Sequence, residues 1–248
     1  MKLNIKKEIL KRNLLLTIKY DGTNYHGWQI QKNALTVQEM FQKALYRVIG
    51  NYPDIKGCSR TDAGVHALGQ VANFKIDSDF PIEKMAIAIN SQLKKSIRIK
   101  KTEEVSQEFH SRYNCHSKTY QYVIDNSEQG SAIYRGLSYH VSQELDVEKM
   151  QKAVTYFVGE HDFSSFKSSG TSSKSSVRII YDANVEKDGE KVKISLTGNG
   201  FLYNMVRIIS GTLVEVGLNN IEPEDIPKKK KKKNRQMAGK TLPPQGLF

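Results

Sequence analysis

The segment Gly57-Cys58-Ser59-Arg60-Thr61-Asp62-Ala63-Gly64-Val65-His66-Ala67 concentrates a carboxylate, a guanidinium and two glycines in a loop that leads into a strand. A carboxylate so placed has several uses. It can bond its own backbone as a turn residue. It can attack a carbon centre and leave again, which suits a transient covalent intermediate. It can also form half of a paired-carboxylate site. Thr61-Asp62-Ala63-Gly64 only loosely resembles the Asp-Thr/Ser-Gly of aspartic proteases, and with no second copy in the chain such a pair would need a dimer.

Other chemistries lack their motifs. Gly22 and Gly27 are followed by Trp28-Gln29 rather than Lys-Ser/Thr, so there is no P-loop. No His-Glu-x-x-His occurs, and the six histidines show no zinc spacing with Cys58 or Cys115. His161-Asp162, at a helix–loop junction, reads as a cap rather than a metal dyad. Neither a metal nor a cofactor is expected. The two cysteines set no disulfide framework and read as reduced thiols.

The elements that must position Asp62 follow from hydrophobic pattern and turn chemistry. Leu14–Tyr20 is a short β-leaning run closed by Asp21-Gly22. Thr36 with Glu39 three residues on is a capping box, and Val37, Met40, Phe41, Ala44, Leu45 and Val48 form one helical stripe that Gly50 stops. A short strand near Asp54–Cys58, a strand Gln70–Ile76, a helix starting at Pro81 and a strand Ile97–Glu104 complete a split βαβ order.

The second half repeats that order less cleanly. Ser117–Ile124 reads as a strand, Asp146–Phe157 as a capped helix, and Ser164–Ser176 as a Ser-rich loop. Val177–Val185 and Lys191–Thr197 flank Asp188-Gly189 as a hairpin. Asn204–Val216 is a helix with Met205, Ile208, Ile209, Leu213 and Val216 inward. The expected class is α+β: two ferredoxin-like split βαβ domains, residues 1–108 and 109–248, with antiparallel sheets side by side. The closing strand of the second domain is expected to be missing, because Gly239–Phe248 stops where it should begin.

Composition bounds the partners. The chain has 248 residues, 38 Lys plus Arg against 26 Asp plus Glu, and a net charge of +12. Half of that excess sits in Lys228–Lys233, which reads as a solvated, mobile loop with nothing apolar to repay ordering. A pI near 9.5 favours a polyanionic partner. A mean hydropathy of −0.53, with no stretch approaching about 20 apolar residues, argues against a membrane protein. Charges interrupt the apolar residues of MKLNIKKEILKRNLLL, so it is neither a secretory signal nor, with Glu8 inside it, a good basic presequence.

Six blocks, in one order from about residue 14 to the end, resemble the tRNA pseudouridine synthase A family. Arg60–Ala67 looks like its catalytic loop and Tyr20–Gln29 like its opening strand and turn. Phe109-His110-Ser111-Arg112 with Lys118-Thr119-Tyr120-Gln121-Tyr122 is similar to its second motif. Gly159–Phe166, Gly200–Arg207 and Ala238–Leu247 resemble three further blocks. Lys228–Lys233 is an unusual filler before the last of them.

The resemblance implies isomerisation of uridine to pseudouridine at positions 38, 39 and 40 in the anticodon arm of tRNA, in a cleft between the domains of a cytoplasmic homodimer. Asp62 is then the nucleophile, and attack on C1′, attack on C6 and a glycal route all stay open. Arg207 orients Asp62 by a charge-assisted hydrogen bond. Tyr120 stacks on uracil and is placed for proton transfer. Arg60 grips phosphate or fills the gap as the base flips out. Leu202 walls the pocket with Phe201, and Arg112 is a substrate-binding residue. The alternatives are an inactive RNA-binding paralogue on the same fold and a hydrolase using Asp62.

Overall fold

A computed structural model describes residues 11–170 and 173–248. The lead-in 1–10, on which the presequence reading rests, and positions 171–172 of the Ser-rich loop lie outside the described residues. The chain divides into two compact units, Met1–Cys115 and His116–Phe248.

The first unit contains β1 (Lys11–Tyr20), α1 (Val37–Ile49), β2 (Lys56–Gly57), β3 (Ala67–Asp77), α2 (Ile82–Gln92) and β4 (Ile97–Val105). Its strands pair antiparallel in the order β2-β3-β1-β4, which is the split βαβ arrangement. Alternation along β1 buries Leu14, Leu16, Ile18 and Tyr20 on one face, and α1 and α2 cover that face with Phe41, Leu45, Met85 and Ile89. Each such side chain contributes about 1.5–3 kcal/mol on burial. The N-cap half of the capping box is made: Thr36 Oγ1 accepts from the Glu39 amide at 3.4 Å, while the Glu39 carboxylate pairs with Lys43 at 2.6 Å, and Gly50 ends α1 at φ 77°.

Residues 109–115 stay with the first unit rather than opening the second. The buried Asn13 side chain donates to the carbonyls of Ser106 (2.8 Å) and Phe109 (3.0 Å). Asn73 Oδ1 accepts from the Ser111 amide at 2.9 Å. Asn73 Nδ2 also donates to Asn13 Oδ1 at 2.9 Å, so a buried amide pair on β1 and β3 holds the segment's backbone.

The second unit contains β5 (Lys118–Asp125), β6 (Tyr139–His140), α3 (Val147–Thr155), β7 (Gly159–Asp162), β8 (Val177–Asp188), β9 (Lys191–Gly198), α4 (Met205–Gly217) and α5 (Ile226–Lys231). The sheet order is β6-β5-β9-β8-β7. The expected grammar is present with additions. β5, β9 and β8 are antiparallel neighbours, β7 extends the outer edge, and β6 adds a parallel pair beside β5. Where the closing strand is expected to be missing, Leu247 and Phe248 make only an isolated bridge to β5: Phe248 exchanges backbone hydrogen bonds with Gln121 at 2.8 and 3.0 Å. The hairpin turns at Gly189, φ 60°. Met205, Ile208, Ile209, Leu213 and Val216 are all buried, as the stripe predicts.

The lysine run is not a loop. Its first four residues form most of α5, anchored by the fully buried Ile226 just before them. Lys is a good helix former, and its aliphatic stem packs while its ammonium reaches a partner. Lys229 donates to the Met237 carbonyl at 3.0 Å, Lys230 to that of Tyr156, and Lys233 pairs with Asp162 at 2.8 Å. The Ser165 hydroxyl holds the Lys229 carbonyl at 2.8 Å.

Candidate active site

The loop that carries Asp62 is clamped at both ends. At its start, Gln70 exchanges hydrogen bonds with Ser59: Nε2 donates to the Ser59 carbonyl (2.7 Å) and Oε1 accepts from its hydroxyl (3.0 Å). The Cys58 amide donates to the Val71 carbonyl at 2.8 Å. At its end, buried His66 accepts from the Gly22 amide at Nδ1, 3.0 Å away.

Between these anchors the turn after β1 lies directly on the loop. Tyr20 Oη and Thr61 Oγ1 are 2.7 Å apart. The Trp28 amide donates to the Thr61 carbonyl (3.2 Å), and the Gly64 amide to that of Tyr25 (3.1 Å). Two glycines permit this approach. A Cβ on Gly22 would sit 1.9 Å from the Val65 carbonyl oxygen, and one on Gly27, whose φ is +80°, 2.2 Å from that of Thr61. Tyr20–Gln29 and Arg60–Ala67 are therefore one structural object, a strand–turn cradle with the loop laid into it. Asp62 is partly buried there, and Arg60 is exposed.

The remaining sequence-predicted residues divide between the units. Arg112 is exposed on the 109–115 segment of the first. Tyr120, Leu202 and Arg207 belong to the second. Tyr120 meets Phe201 edge-on, with ring centroids 5.1 Å apart at 81°. Leu202 is buried.

Arg207, on the first turn of α4, is held from two directions. Its Nε donates to the Leu242 carbonyl at 2.6 Å, and its Nη1 to Asn204 Oδ1 at 2.8 Å. Asn204 sits in the left-handed region at φ 60°, ψ 7°, and its Nδ2 donates to Ser168 Oγ at 2.9 Å. Next to this array, burial raises the Tyr122 phenol far above its ordinary value, against the opposing pull of the Arg207 guanidinium. Tyr122 Oη donates to the Pro243 carbonyl at 2.7 Å.

Sequence reading missed Gln70, Asn204 and the Leu242 carbonyl as positioning groups. The Asn204 signal was a polar residue at the helix start, but its partners lie 36 residues upstream and three downstream. His161-Asp162 proves to be a turn device: Asp162 Oδ1 accepts from the Ser164 amide (2.9 Å) and hydroxyl (2.6 Å), and His161 Nε2 lies 2.8 Å from the Val158 carbonyl. Among the described residues, no helix is long and apolar enough to cross a membrane.

The molecule is thus a two-unit α+β protein, one unit presenting a clamped aspartate loop and the other a fixed arginine beside a tyrosine. A family profile described as tRNA pseudouridine synthase matches residues 16–114 and 153–248. The chain belongs to that family. It is 53% identical over 238 residues to tRNA pseudouridine synthase A of Ruminiclostridium cellulolyticum and 51% identical over 237 residues to that of Acetivibrio thermocellus. It is 47% identical over 236 residues to tRNA pseudouridine synthase A 2 of Clostridium perfringens. The matches cover 95–96% of this chain and 97% of each relative.

Proposed function

We propose that this protein isomerises uridine to pseudouridine in the anticodon stem-loop of tRNA, at positions 38, 39 and 40, with Asp62 as nucleophile. The reaction breaks the N1–C1′ bond, turns the uracil and forms a C5–C1′ bond; C5 loses its proton and N1 gains one. No cofactor or metal is called for by that balance. The observation that carries the reading is the clamping of the Asp62 loop by Gly22, Gly27, Tyr20 and His66, within a chain of this family. A nucleophile must be presented in fixed geometry to gain from proximity, and a loop bonded along its length supplies that.

In this reading Arg207 holds Asp62 ionised and oriented, Tyr120 stacks on the uracil, and Leu202 walls the base. Arg60 and Arg112 engage the RNA backbone. The enzyme works as a homodimer in the cytoplasm. The test is the pseudouridine content of unmodified tRNA after incubation with the protein and no added cofactor. Product at the anticodon arm supports the proposal. Tight binding without product identifies an RNA-binding paralogue instead.

A further inference from the structure

The six lysines at 228–233 are not equivalent. Four have protein partners: Lys228 with Asp225 (3.0 Å), Lys229 and Lys230 with main-chain carbonyls, and Lys233 with Asp162. The Tyr156 carbonyl that Lys230 meets lies at the C-terminal end of α3, where the helix dipole favours a cation. Lys233 adopts φ 49°, a left-handed backbone costly for a side-chain-bearing residue, and its ion pair helps hold it there. The Lys231 and Lys232 side chains are exposed, and among the described residues their ammoniums have no hydrogen bond or ion pair.

The neighbouring acids do not neutralise these two. Glu222 lies 3.9 Å from Lys149, Glu224 pairs with Lys152, and Asp225 pairs with Lys228. The outcome is a pair of uncompensated ammoniums at the end of a short helix whose position is fixed by Ile226 and the partnered lysines. A mobile basic tail would offer charge without register; this one offers it at a set place on the second unit.

We propose that Lys231 and Lys232 form a docking point for the phosphodiester backbone of the RNA substrate, while Lys229, Lys230 and Lys233 are its scaffold. Charge complementarity selects the partner, since contacts to phosphate release counterions and so carry a measurable salt dependence. The inference rests on the proposed activity, and the experiment separates the two.

Binding of unmodified tRNA is measured between 50 and 200 mM salt for the parent protein, Lys231→Ser/Lys232→Ser, Lys231→Arg/Lys232→Arg and Lys229→Gln/Lys230→Gln. At about 0.7–0.9 per phosphate, the serine pair should reduce the magnitude of the slope of log K against log salt by about 1.4–1.8. Its thermal midpoint should match the parent. The arginine pair should keep the parent slope. The glutamine pair should lower the thermal midpoint, because it removes two anchors of α5. An unchanged slope for the serine pair overturns the inference, even if that pair weakens binding to anionic lipid vesicles. So does a glutamine pair that flattens the slope equally at unchanged thermal midpoint, because the six lysines would then be interchangeable. Pseudouridine formation by the parent preparation is scored separately: product with an unchanged slope sinks only the docking point, whereas no product sinks the activity.

Discussion

The Gly22 amide donates to Nδ1 of His66 at 3.0 Å, joining the turn after the first strand to the end of the loop that carries Asp62. That bond ties the histidine ring to the turn. Asp21 Oδ1 is 3.2 Å from the same Nδ1. Burial raises the Asp21 carboxyl, but hydrogen bonds from Thr23 and the interaction with His66 outweigh it and hold it below its ordinary value. His66 thus links both residues of the Asp21-Gly22 turn to the end of the loop.

The cradle predicts that residues remote from the chemistry control it. Gly22→Ala forces a Cβ onto the Val65 carbonyl, and the loop must move. The rate of pseudouridine formation should fall about a hundredfold, the cost of roughly ångström-scale misplacement. His66→Ala strands a buried amide and should cost about 1–3 kcal/mol or more in urea unfolding. Parent-like kinetics for Gly22→Ala would show that the loop is not held by this turn.

Asn204 should matter through Arg207. Asn204→Gly keeps the left-handed backbone and deletes the side chain that holds Nη1. The expected result is a kcat about tenfold lower with KM and thermal midpoint near the parent's, the signature of lost positioning. Arg207→Lys, which keeps charge but loses the planar fork, should lose less activity than Arg207→Ala. A double-mutant cycle of Arg207→Ala with Asp62→Glu should be non-additive. Simple addition of the two effects would mean that Arg207 does not act on Asp62.

What was legible in the sequence was local. The Thr36–Glu39 cap, the stop at Gly50 and the Asp188-Gly189 turn each depend on residues a few positions apart, and each is present. The lysine run misled because what orders it is far away in sequence: the Tyr156 carbonyl is 74 residues before Lys230. The same holds for residues 109–115, claimed for the first unit by Asn13 and Asn73, and for Leu247–Phe248, whose pairing with β5 spans half the chain. At the candidate site the motifs named Asp62, but nothing local could reveal that the opening motif serves as the bed of its loop.

The ion pair beside the lysine helix gives a pH prediction. The hydrogen bond from Lys233, followed by that from the Ser164 hydroxyl, holds the Asp162 carboxyl at about 2. An unfolded aspartate titrates at about 3.9. A folded-state value below the unfolded one contributes stability above about pH 4, and that contribution drains away as pH falls toward 2. Asp162→Asn should therefore lower the thermal midpoint at neutral pH, with the difference from the parent narrowing as pH drops below about 4. A constant difference across that window would mean that Asp162 stabilises the turn by its shape and not by its charge.

The most direct test of the central claim compares the parent protein with Asp62→Asn on unmodified tRNA. The amide is nearly isosteric but cannot form the covalent adduct, so the variant should fold, bind tRNA with near-parent affinity and yield no pseudouridine, while the parent modifies the anticodon arm. Turnover by Asp62→Asn within tenfold of the parent would contradict the account.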